Sequence, residues 1–296
     1  MPPRERPPKR TPRSVVYRRR LLAVAVLVAG FAAAWFAVGS IGGGNGHKQE
    51  TTTAVVAPRP FRIVFPEGFT RAQIAARVGA VAKIAERERG KVPKLTSRAY
   101  RAATRGKRLQ PGFGNHRYPL EGFLFPATYD FTARSTAAQL VNAQLKAFRR
   151  NWAKVDLGYA KSKNLTPYDV LTIASMVERE AAAPEERQLV AAVIYNRLHE
   201  GMPLGIDATI RYGLNIPPTR AIRESELHSS NPYNTRTQAG LPPTPIANPG
   251  LASIQAAAHP AHVDYLYFVR KPDKKHHFFT ASSEAFDRYK AEHGYR

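Results

Sequence analysis

The chain has 296 residues, of which 43% are hydrophobic, so it can form one substantial globular domain with smaller additions. Its 45 Lys and Arg against 22 Asp and Glu give a formal net charge of +23, which predicts an acidic partner such as nucleic acid, anionic lipid or a cell-wall polymer. It contains no cysteine, which excludes a disulfide framework and thiol chemistry.

The N-terminus predicts a single membrane anchor. Residues 1–20 carry eight Lys or Arg and one Glu, and residues 21–41 contain no charge. About 20 apolar residues cover a bilayer core of roughly 30 Å, and the positive-inside rule keeps the basic end in the cytoplasm. We therefore expect a cytoplasmic tail (1–20), one transmembrane helix (21–41) in the cell membrane and an extracytoplasmic remainder that does not bind nucleic acid. A cleaved signal peptide is the alternative, since the alanines at 32–34 offer a small-residue cleavage site.

Residues 42–58 predict a flexible linker rich in Gly and Thr that stiffens toward its prolines. The segment FRIVFPEG and a helix that begins after Thr70 predict a small strand-and-helix module at 59–107. A module of this size buries little core by itself, so we expect it to pack on the next domain, at 108–296. At the end of this small module, residues 91–108 predict a further basic amphipathic helix.

The middle of the chain alternates aromatic turns with helices. The segment YPLEGFLFPATYDF is typical of core strands and corners, although similar segments also form walls on which sugars stack. An amphipathic helix capped near Ser135 or Thr136 comes next, and Pro184 begins another helix that stops at Gly201. Between these two, TPYDVLTIASMVERE predicts a helix with Thr166 at its N-cap and Pro167 at its first position.

Glu180 lies at the end of that helix, on its apolar side. At about 100° per residue it projects into the same sector as the apolar side chains, whereas Glu178 points away. Desolvation there disfavours the charged carboxylate and holds the group protonated nearer neutrality, as a general acid for glycosidic bonds requires. The structural alternative is an ion pair between Glu180 and one of the many arginines. The apolar residues of this face are Val170, Ile173, Met176 and Val177.

Downstream, a long segment rich in Pro, Gly, Asn and Thr includes DATIRYG and NPYNTRTQAGLPPTPIANPG. Its density of turn residues predicts an ordered loop that lines a site, and NPYNT supplies amide and hydroxyl groups that suit sugars. The segment LASIQAAAHP then predicts a helix, and VDYLYFV and HHFFTAS predict paired strands.

Several of these segments carry a resemblance to a known family. LEGFLFPATYDF, ASMVERE, YNRL, DATIRYG, the PYNT to LPPTPIANPG block, AAAHP and YLYFV resemble the endolytic murein transglycosylases (MltG, YceG-like), over roughly residues 59–290. The resemblance implies a membrane-anchored α+β protein with a small LysM-like module followed by a mixed α+β catalytic domain. It also implies a lyase that cuts the MurNAc–GlcNAc bond of nascent peptidoglycan strands, leaves 1,6-anhydro-MurNAc ends and so terminates glycan elongation.

The resemblance places the catalytic acid at the second glutamate of the ExE motif, Glu180. It assigns substrate binding to the loop residues Tyr233, Asn234 and Thr235, and implies no metal or cofactor. Further substrate-binding candidates are Asp207, Thr209 and Glu121. Peptidoglycan strands, the membrane and peptidoglycan synthases are the implied partners.

Two other functions stay open. A hydrolytic muramidase would need a second carboxylate about 5 to 9.5 Å from Glu180, for which Asp207 and Glu121 are candidates. A non-catalytic cell-wall-binding scaffold for synthases would not need the acid at all. A histidine metal site is disfavoured, because the pair at 259 and 262 has no obvious third ligand and the adjacent strand histidines at 276 and 277 point to opposite faces.

Overall fold

The computed structural model of the protein describes residues 60–90, 94–108, 110–114 and 117–295. The predicted tail, transmembrane helix and linker at 1–58 lie outside these residues. Within the described ranges, no helix is both long and apolar enough to cross a membrane.

The first strand and helix form where the sequence predicts them. Strand β1 covers Phe61–Val64, and helix α1 covers Arg71–Arg89. The Thr70 side chain accepts the backbone N–H of Gln73, and the Gln73 side chain accepts the backbone N–H of Thr70 in return. The helix ends at Gly90, whose φ of 57° lies in the left-handed region that favours glycine. This local chemistry confirms the predicted start at Thr70.

The predicted helix at 91–108 is shorter than expected. Helix α2 covers Ser97–Ala103, and the chain then forms strand β2 (Lys107–Arg108), which pairs with β3 (Arg117–Tyr118). Gly106 lies between α2 and β2 with a φ of 56°, a left-handed conformation that a helix cannot continue through. The helix predicted from the basic composition therefore ends at Ala103, before the end of the segment.

The first strand shares its core with residues far along the chain. Strand β1 pairs antiparallel with β4 (Thr128–Phe131), so that Phe61 lies opposite Phe131. Consequently the predicted module at 59–107 packs on the downstream part of the chain, as expected, and does so through a joint core. The boundary at residue 107 and the LysM-like character of the module stay predictions. The buried side chains of this joint core include Ile63, Phe65, Ile74, Val78, Leu95, Tyr100, Leu120, Leu124, Leu140 and Val141.

Three helices come after β4. Helix α3 (Ala137–Trp152) begins at Thr136 with a capping box, and the short α4 (Gly158–Ser162) leads into α5 (Pro167–Glu180). Thr166 caps α5 by accepting the backbone N–H of its third residue, so this predicted start is also confirmed. The eight residues at 170–177 of α5 are all buried, which makes it the central helix of the fold.

A short 3₁₀ turn (Pro184–Glu186) connects α5 to α6 (Arg187–His199). Two short helices then interrupt the long loop, α7 (Asp207–Gly213) and α8 (Glu224–Leu227). Helix α9 (Leu251–Ala258) returns to pack on α5 and α6. The second core, between these helices, includes Val170, Ile173, Met176, Val177, Val190, Ile194, Ile206, Ile246 and Ile254.

One glycine fixes the loop before α9 against the aromatic segment. Gly122 has a φ of 87°, and a Cβ at this position would stand 2.7 Å from Cγ of Pro245. Both the backbone conformation and the close approach therefore exclude larger residues there.

The chain ends in a hairpin and a helix. Strands β5 (Tyr267–Arg270) and β6 (His277–Thr280) pair antiparallel, with Arg270 opposite His277, which confirms the predicted strand pair. Helix α10 (Ser283–Glu292) packs on the hairpin. With its helices and two-stranded sheets, the described part of the chain has the predicted α+β fold.

Candidate active site

Helix α5 ends at Glu180, because the next residue, Ala181, has an extended backbone (φ −76°, ψ 100°). This end opens into a cleft of about 700 Å³ that is formed by the end of α5, by α7, by the hairpin β5–β6 and by α10. Glu180 and Asp207 are the carboxylates that border it among the described residues. The cations that border it are Arg179, Arg197, Arg211, Arg236, Arg270 and Lys290.

The surroundings of Glu180 raise its pKa. Burial of the carboxyl is the largest cause, and the negative charge of Asp207 adds to it. The backbone N–H of Ala208, the first group that opposes this, donates to the Glu180 carboxyl, and the positive charges of Arg270 and Arg179 oppose it less. The net effect favours the protonated acid, which is the direction the sequence predicts.

Asp207, the first residue of α7, borders the same cleft as Glu180. Its Oδ1 lies 2.6 Å from Nη2 of Arg236, in an ion pair that is about half exposed to solvent. The structure therefore places Asp207 and Glu180 on the same cleft and adds Arg236 as the partner of Asp207, while the predicted roles of Asp207 stay predictions.

The cleft cations differ in how they are held. Arg197 donates to the carbonyl oxygens of Pro203, Leu204 and Leu266, and Arg211 donates to those of Pro217 and Arg220, so both arginines fasten loops. Arg270 and Lys290 form no ion pair with the carboxylates of the described residues. The ammonium of Lys290 lies 5.4 Å from the centroid of the Phe286 ring, and the positive charge of Arg270 acts on Glu180.

Glu178, the other glutamate of the ExE motif, serves a different surface. Its Oε2 accepts the backbone N–H of Gly250 at 3.0 Å, immediately before α9, and its Cγ packs near Gly68. The carboxylate therefore ties α5 to the start of α9 and does not border the cleft of Glu180.

Thr209 and Thr235 are buried and bonded to each other. Their hydroxyl oxygens lie 3.0 Å apart, and Thr235 also accepts the backbone N–H of Ile206 at 3.0 Å. Because Ile206 is the N-cap residue of α7, this pair fixes the helix that carries Asp207. Neither threonine borders the cleft, so the geometry favours a positioning role, and their predicted contact with substrate stays a prediction.

The other two residues of the predicted binding loop are also engaged with the protein. Asn234 is buried and donates to the carbonyl oxygens of Leu227 and Ser229 at 2.9 and 2.8 Å. The Tyr233 hydroxyl lies 2.8 Å from Oγ1 of Thr244. These bonds hold the loop together, and direct contact of Tyr233 or Asn234 with substrate stays a prediction.

Glu121 lies in a separate, enclosed site. Its two oxygens accept the backbone N–H of Arg71 at 2.8 and 3.1 Å, the Tyr212 hydroxyl at 3.1 Å and the Asn248 amide at 2.8 Å. Burial nevertheless raises its pKa to about 7, because the loss of hydration outweighs these bonds. Asn248 also accepts the backbone N–H of Leu124 and donates to the carbonyl oxygen of Phe69. Glu121 therefore joins the start of α1 to the loop before α9, away from the cleft.

The histidines form no metal site in the described part of the chain, where no group of three His, Cys, Asp or Glu side chains could hold an ion. His276 is partly exposed and pairs with Asp273 and Glu185, whereas His277 is buried and pairs with Glu186. The two adjacent side chains therefore point in opposite directions, as the strand pattern predicts.

The sequence does not predict His277 or the six cations of the cleft as parts of the site, and it considers His277 only as a metal ligand. The cross-strand pairing of His277 with Arg270 is a signal that places these two residues on one surface.

Comparison with known proteins supports one family. The model of the YceG-like family matches residues 45–292. Endolytic murein transglycosylases are 35% identical over 267 residues in Streptococcus pneumoniae (strain ATCC BAA-255 / R6) and 39% identical over 158 residues in Bacillus subtilis (strain 168). These matches cover 85% and 53% of this chain, but only 46% and 43% of the relatives, so the chain spans about half their length. A crystal structure of a YceG-like protein from Listeria monocytogenes superposes with a TM-score of 0.64 at 30% identity, covering 77% of this chain and 75% of that one.

Proposed function

Because this chain belongs to the YceG-like family, we propose that it is an endolytic peptidoglycan lytic transglycosylase, a lyase that forms 1,6-anhydro-MurNAc ends. The observation that carries the proposal is the position of Glu180 at the end of a buried helix, in a cleft large enough for sugar residues. Its raised pKa favours the protonated carboxyl, and the cleft gives a substrate access to that proton.

The reaction needs one proton donor that works twice. Glu180 protonates the glycosidic oxygen, and the bond between that oxygen and C1 of MurNAc breaks. The resulting carboxylate then accepts the proton of the C6 hydroxyl of the same MurNAc, whose oxygen bonds to C1. Glu180 ends the cycle protonated, no water is consumed, and neither a metal nor a cofactor takes part.

The other charged groups of the cleft support these two steps. Asp207 disfavours a second negative charge on Glu180, which favours the protonated starting state. Arg270 and Arg179 act in the opposite direction and stabilise the carboxylate once the proton has left. Each of the two states of the acid is therefore favoured by groups that border the cleft.

A hydrolytic muramidase is the second candidate, because Asp207 borders the same cleft as Glu180 and could activate a water. Glu121, the other carboxylate considered for this role, is enclosed by protein donors. The tie between Asp207 and Arg236 favours a fixed charge over a mobile base. A non-catalytic wall-binding scaffold is the third candidate, and it assigns no chemistry to the cleft.

The wider assignment is part of the same proposal. A transmembrane helix at 21–41 would hold the enzyme in the cell membrane with its N-terminus in the cytoplasm, and a LysM-like module at 59–107 would precede the catalytic domain. Anchoring confines the enzyme to nascent glycan strands near the synthases that make them. The supporting observations are the eight basic residues before an uncharged run and the high positive charge of the chain.

Replacement of Glu180 by Gln tests the proposal, with Glu178→Gln as the matched control on the same helix. The amide keeps the size of the side chain but cannot transfer a proton, so we expect cleavage of purified glycan strands to fall at least about 10³-fold. Glu178→Gln keeps a polar group beside Gly250 and should cost less than about tenfold.

Mass spectrometry of the products separates the three candidates. Anhydro-MurNAc ends support the transglycosylase, and reducing MurNAc ends support the muramidase. Strands that stay intact with the wild-type protein would exclude a transglycosylase and leave the scaffold. An active Glu180→Gln variant would exclude Glu180 as the acid.

A further inference from the structure

A buried histidine and glutamate lie beside the cleft that holds the predicted acid. His277 begins β6, and Glu186 ends the 3₁₀ turn between α5 and α6. One oxygen of Glu186 accepts the backbone N–H of His277 at 2.9 Å, and the other lies 2.7 Å from Nδ1 of its ring. Only 2% of the His277 side chain and 8% of the Glu186 side chain are exposed. The imidazole is therefore held at two points by one carboxylate.

This pairing determines which ring nitrogen is free. A carboxylate oxygen accepts hydrogen bonds, so the His277 nitrogen that faces it, Nδ1, carries a proton. The ring is also packed edge-on against Phe268 and Phe279, with centroid distances of 5.4 and 6.0 Å. The orientation of the ring is thus fixed by neighbouring groups, which leaves Nε2 as the remaining polar atom.

His277 lies in the wall of the cleft, and its Nε2 has no partner in the described part of the protein. Among the described residues it has no hydrogen-bond partner, and it is not one of the buried side-chain atoms that lack one, so it retains contact with solvent. His277 borders the same cleft as Glu180 and Arg270. A pair that served only to attach β6 to the 3₁₀ turn would need Nδ1 and the backbone N–H, but not an accessible Nε2.

We propose that His277 is a substrate-contacting residue of this cleft, with Glu186 as its positioning residue. Its Nε2 forms a hydrogen bond with a hydroxyl group of the sugar that Glu180 protonates, since a hydroxyl can both donate and accept. The proposal rests on the proposed function for the class of substrate, a glycan strand. The fixed ring gives the contact its value, because no side-chain freedom is lost when the sugar binds.

The neighbouring His276 provides a matched control. Its ring is bound on both sides, with Nδ1 2.8 Å from Asp273 and Nε2 3.3 Å from Glu185, and it does not border the cleft. The two residues have the same chemistry and adjacent positions. Only His277 borders the cleft and has a ring nitrogen without a partner in the described part of the protein.

The first experiment compares His277→Asn with His276→Asn in the full chain. An Asn at position 277 can still donate to Glu186 from the place of Nδ1, but it has nothing in the place of Nε2. We expect His277→Asn to remain folded, with a thermal midpoint lowered by the loss of ring packing, and to lower kcat/KM on glycan strands about 10- to 100-fold. His276→Asn should leave kcat/KM within about twofold. Wild-type activity in a folded His277→Asn variant would overturn the proposal.

The second experiment does not depend on how well the His277→Asn variant folds, because it keeps His277. In ¹⁵N-histidine-labelled Glu180→Gln protein, addition of uncleaved glycan strands should shift the Nε2 resonance of His277 and leave that of His276 unchanged. An unmoved His277 resonance at saturating glycan would overturn the contact. If Glu180→Gln is inactive and both His277 measurements are negative, this proposal alone fails. If the wild type neither cleaves the strands nor responds to them in the spectrum, the proposed function fails with it.

Discussion

Two carboxyl groups of this protein have raised pKa values for the same main reason, loss of hydration, yet they occupy opposite kinds of site. Glu121 accepts a backbone N–H, a hydroxyl and an amide, and these donors enclose it. Glu180 receives the backbone N–H of Ala208 and otherwise faces an open cleft bordered by arginines. A perturbed pKa therefore does not identify a catalytic acid. Access of a substrate to the proton separates the two groups, and burial alone does not.

The largest effect on stability should result from truncation of Glu121. Glu121→Ala leaves the Arg71 N–H, the Tyr212 hydroxyl and the Asn248 amide without their acceptor, so we expect a loss of about 3 to 5 kcal/mol in the free energy of unfolding. Urea denaturation measures this change. Glu86→Ala, on the exposed side of α1, is the matched control and should stay within about 0.5 kcal/mol of the wild type. A similar small loss in both variants would remove the structural half of the comparison.

The next effect is a pH dependence with an unusual sign. Glu121 has a folded pKa of about 7 against an ordinary value of 4.5, so between these values the unfolded chain ionises while the folded one stays protonated. Unfolding then releases a proton, and stability falls as pH rises from about 4.5 to 7 by up to roughly 3 kcal/mol. Above pH 7 the contribution is lost and no longer changes.

Glu121→Gln isolates this contribution, because the amide does not titrate. The difference in unfolding free energy between the wild type and Glu121→Gln, measured from pH 5 to 8, should move against the wild type as pH rises. Subtraction removes other groups that titrate in this window, including His276, whose pKa is raised by Asp273. A difference that moves in favour of the wild type would show that the enclosing donors outweigh burial at Glu121.

The smallest effect should occur at Glu180, with the opposite sign. Burial and Asp207 both disfavour its charge, so Glu180→Gln removes an unfavourable group from the folded protein. We expect this variant to unfold at the wild-type midpoint or above it, by up to about 1 kcal/mol at pH 8, although its activity is lost. Calorimetry of Glu180→Gln beside Glu178→Gln tests this, since the latter exchanges a charged acceptor of the Gly250 N–H for a neutral one and should not gain stability. A clear destabilisation by Glu180→Gln would mean that Glu180 is a structural group like Glu121.

The sequence predicted those parts of the fold that depend on neighbours in the chain. The caps at Thr70, Thr136 and Thr166 need only a side chain and a backbone N–H three residues apart, and all three form. The hairpin at the C-terminus forms for the same local reason, from alternation and a turn.

Distant contacts decided the rest. Thr235 is bonded to Ile206 and Thr209, which lie 29 and 26 residues away. The composition of its segment predicts a ligand-binding loop, whereas these distant contacts make Thr235 a support for α7. Helical periodicity favoured Glu180 over Glu178, yet α5 is buried all round at 170–177, and the groups each carboxyl meets are what separate the two. The accessible nitrogen of His277 depends on Glu186, 91 residues earlier, and no local pattern contains that contact.

The bonds of Asn248 also set an order of events in time. Its amide closes onto Phe69, 179 residues earlier, and onto Glu121 and Leu124, 127 and 124 residues earlier. At a synthesis rate of about 5 to 20 residues per second, the N-terminal helix waits roughly 10 to 35 s for this partner. Until then the Glu121 carboxyl can remain hydrated, and the joint core cannot close around it. Folding of the N-terminal half is therefore expected to finish only after the chain has been made to residue 248.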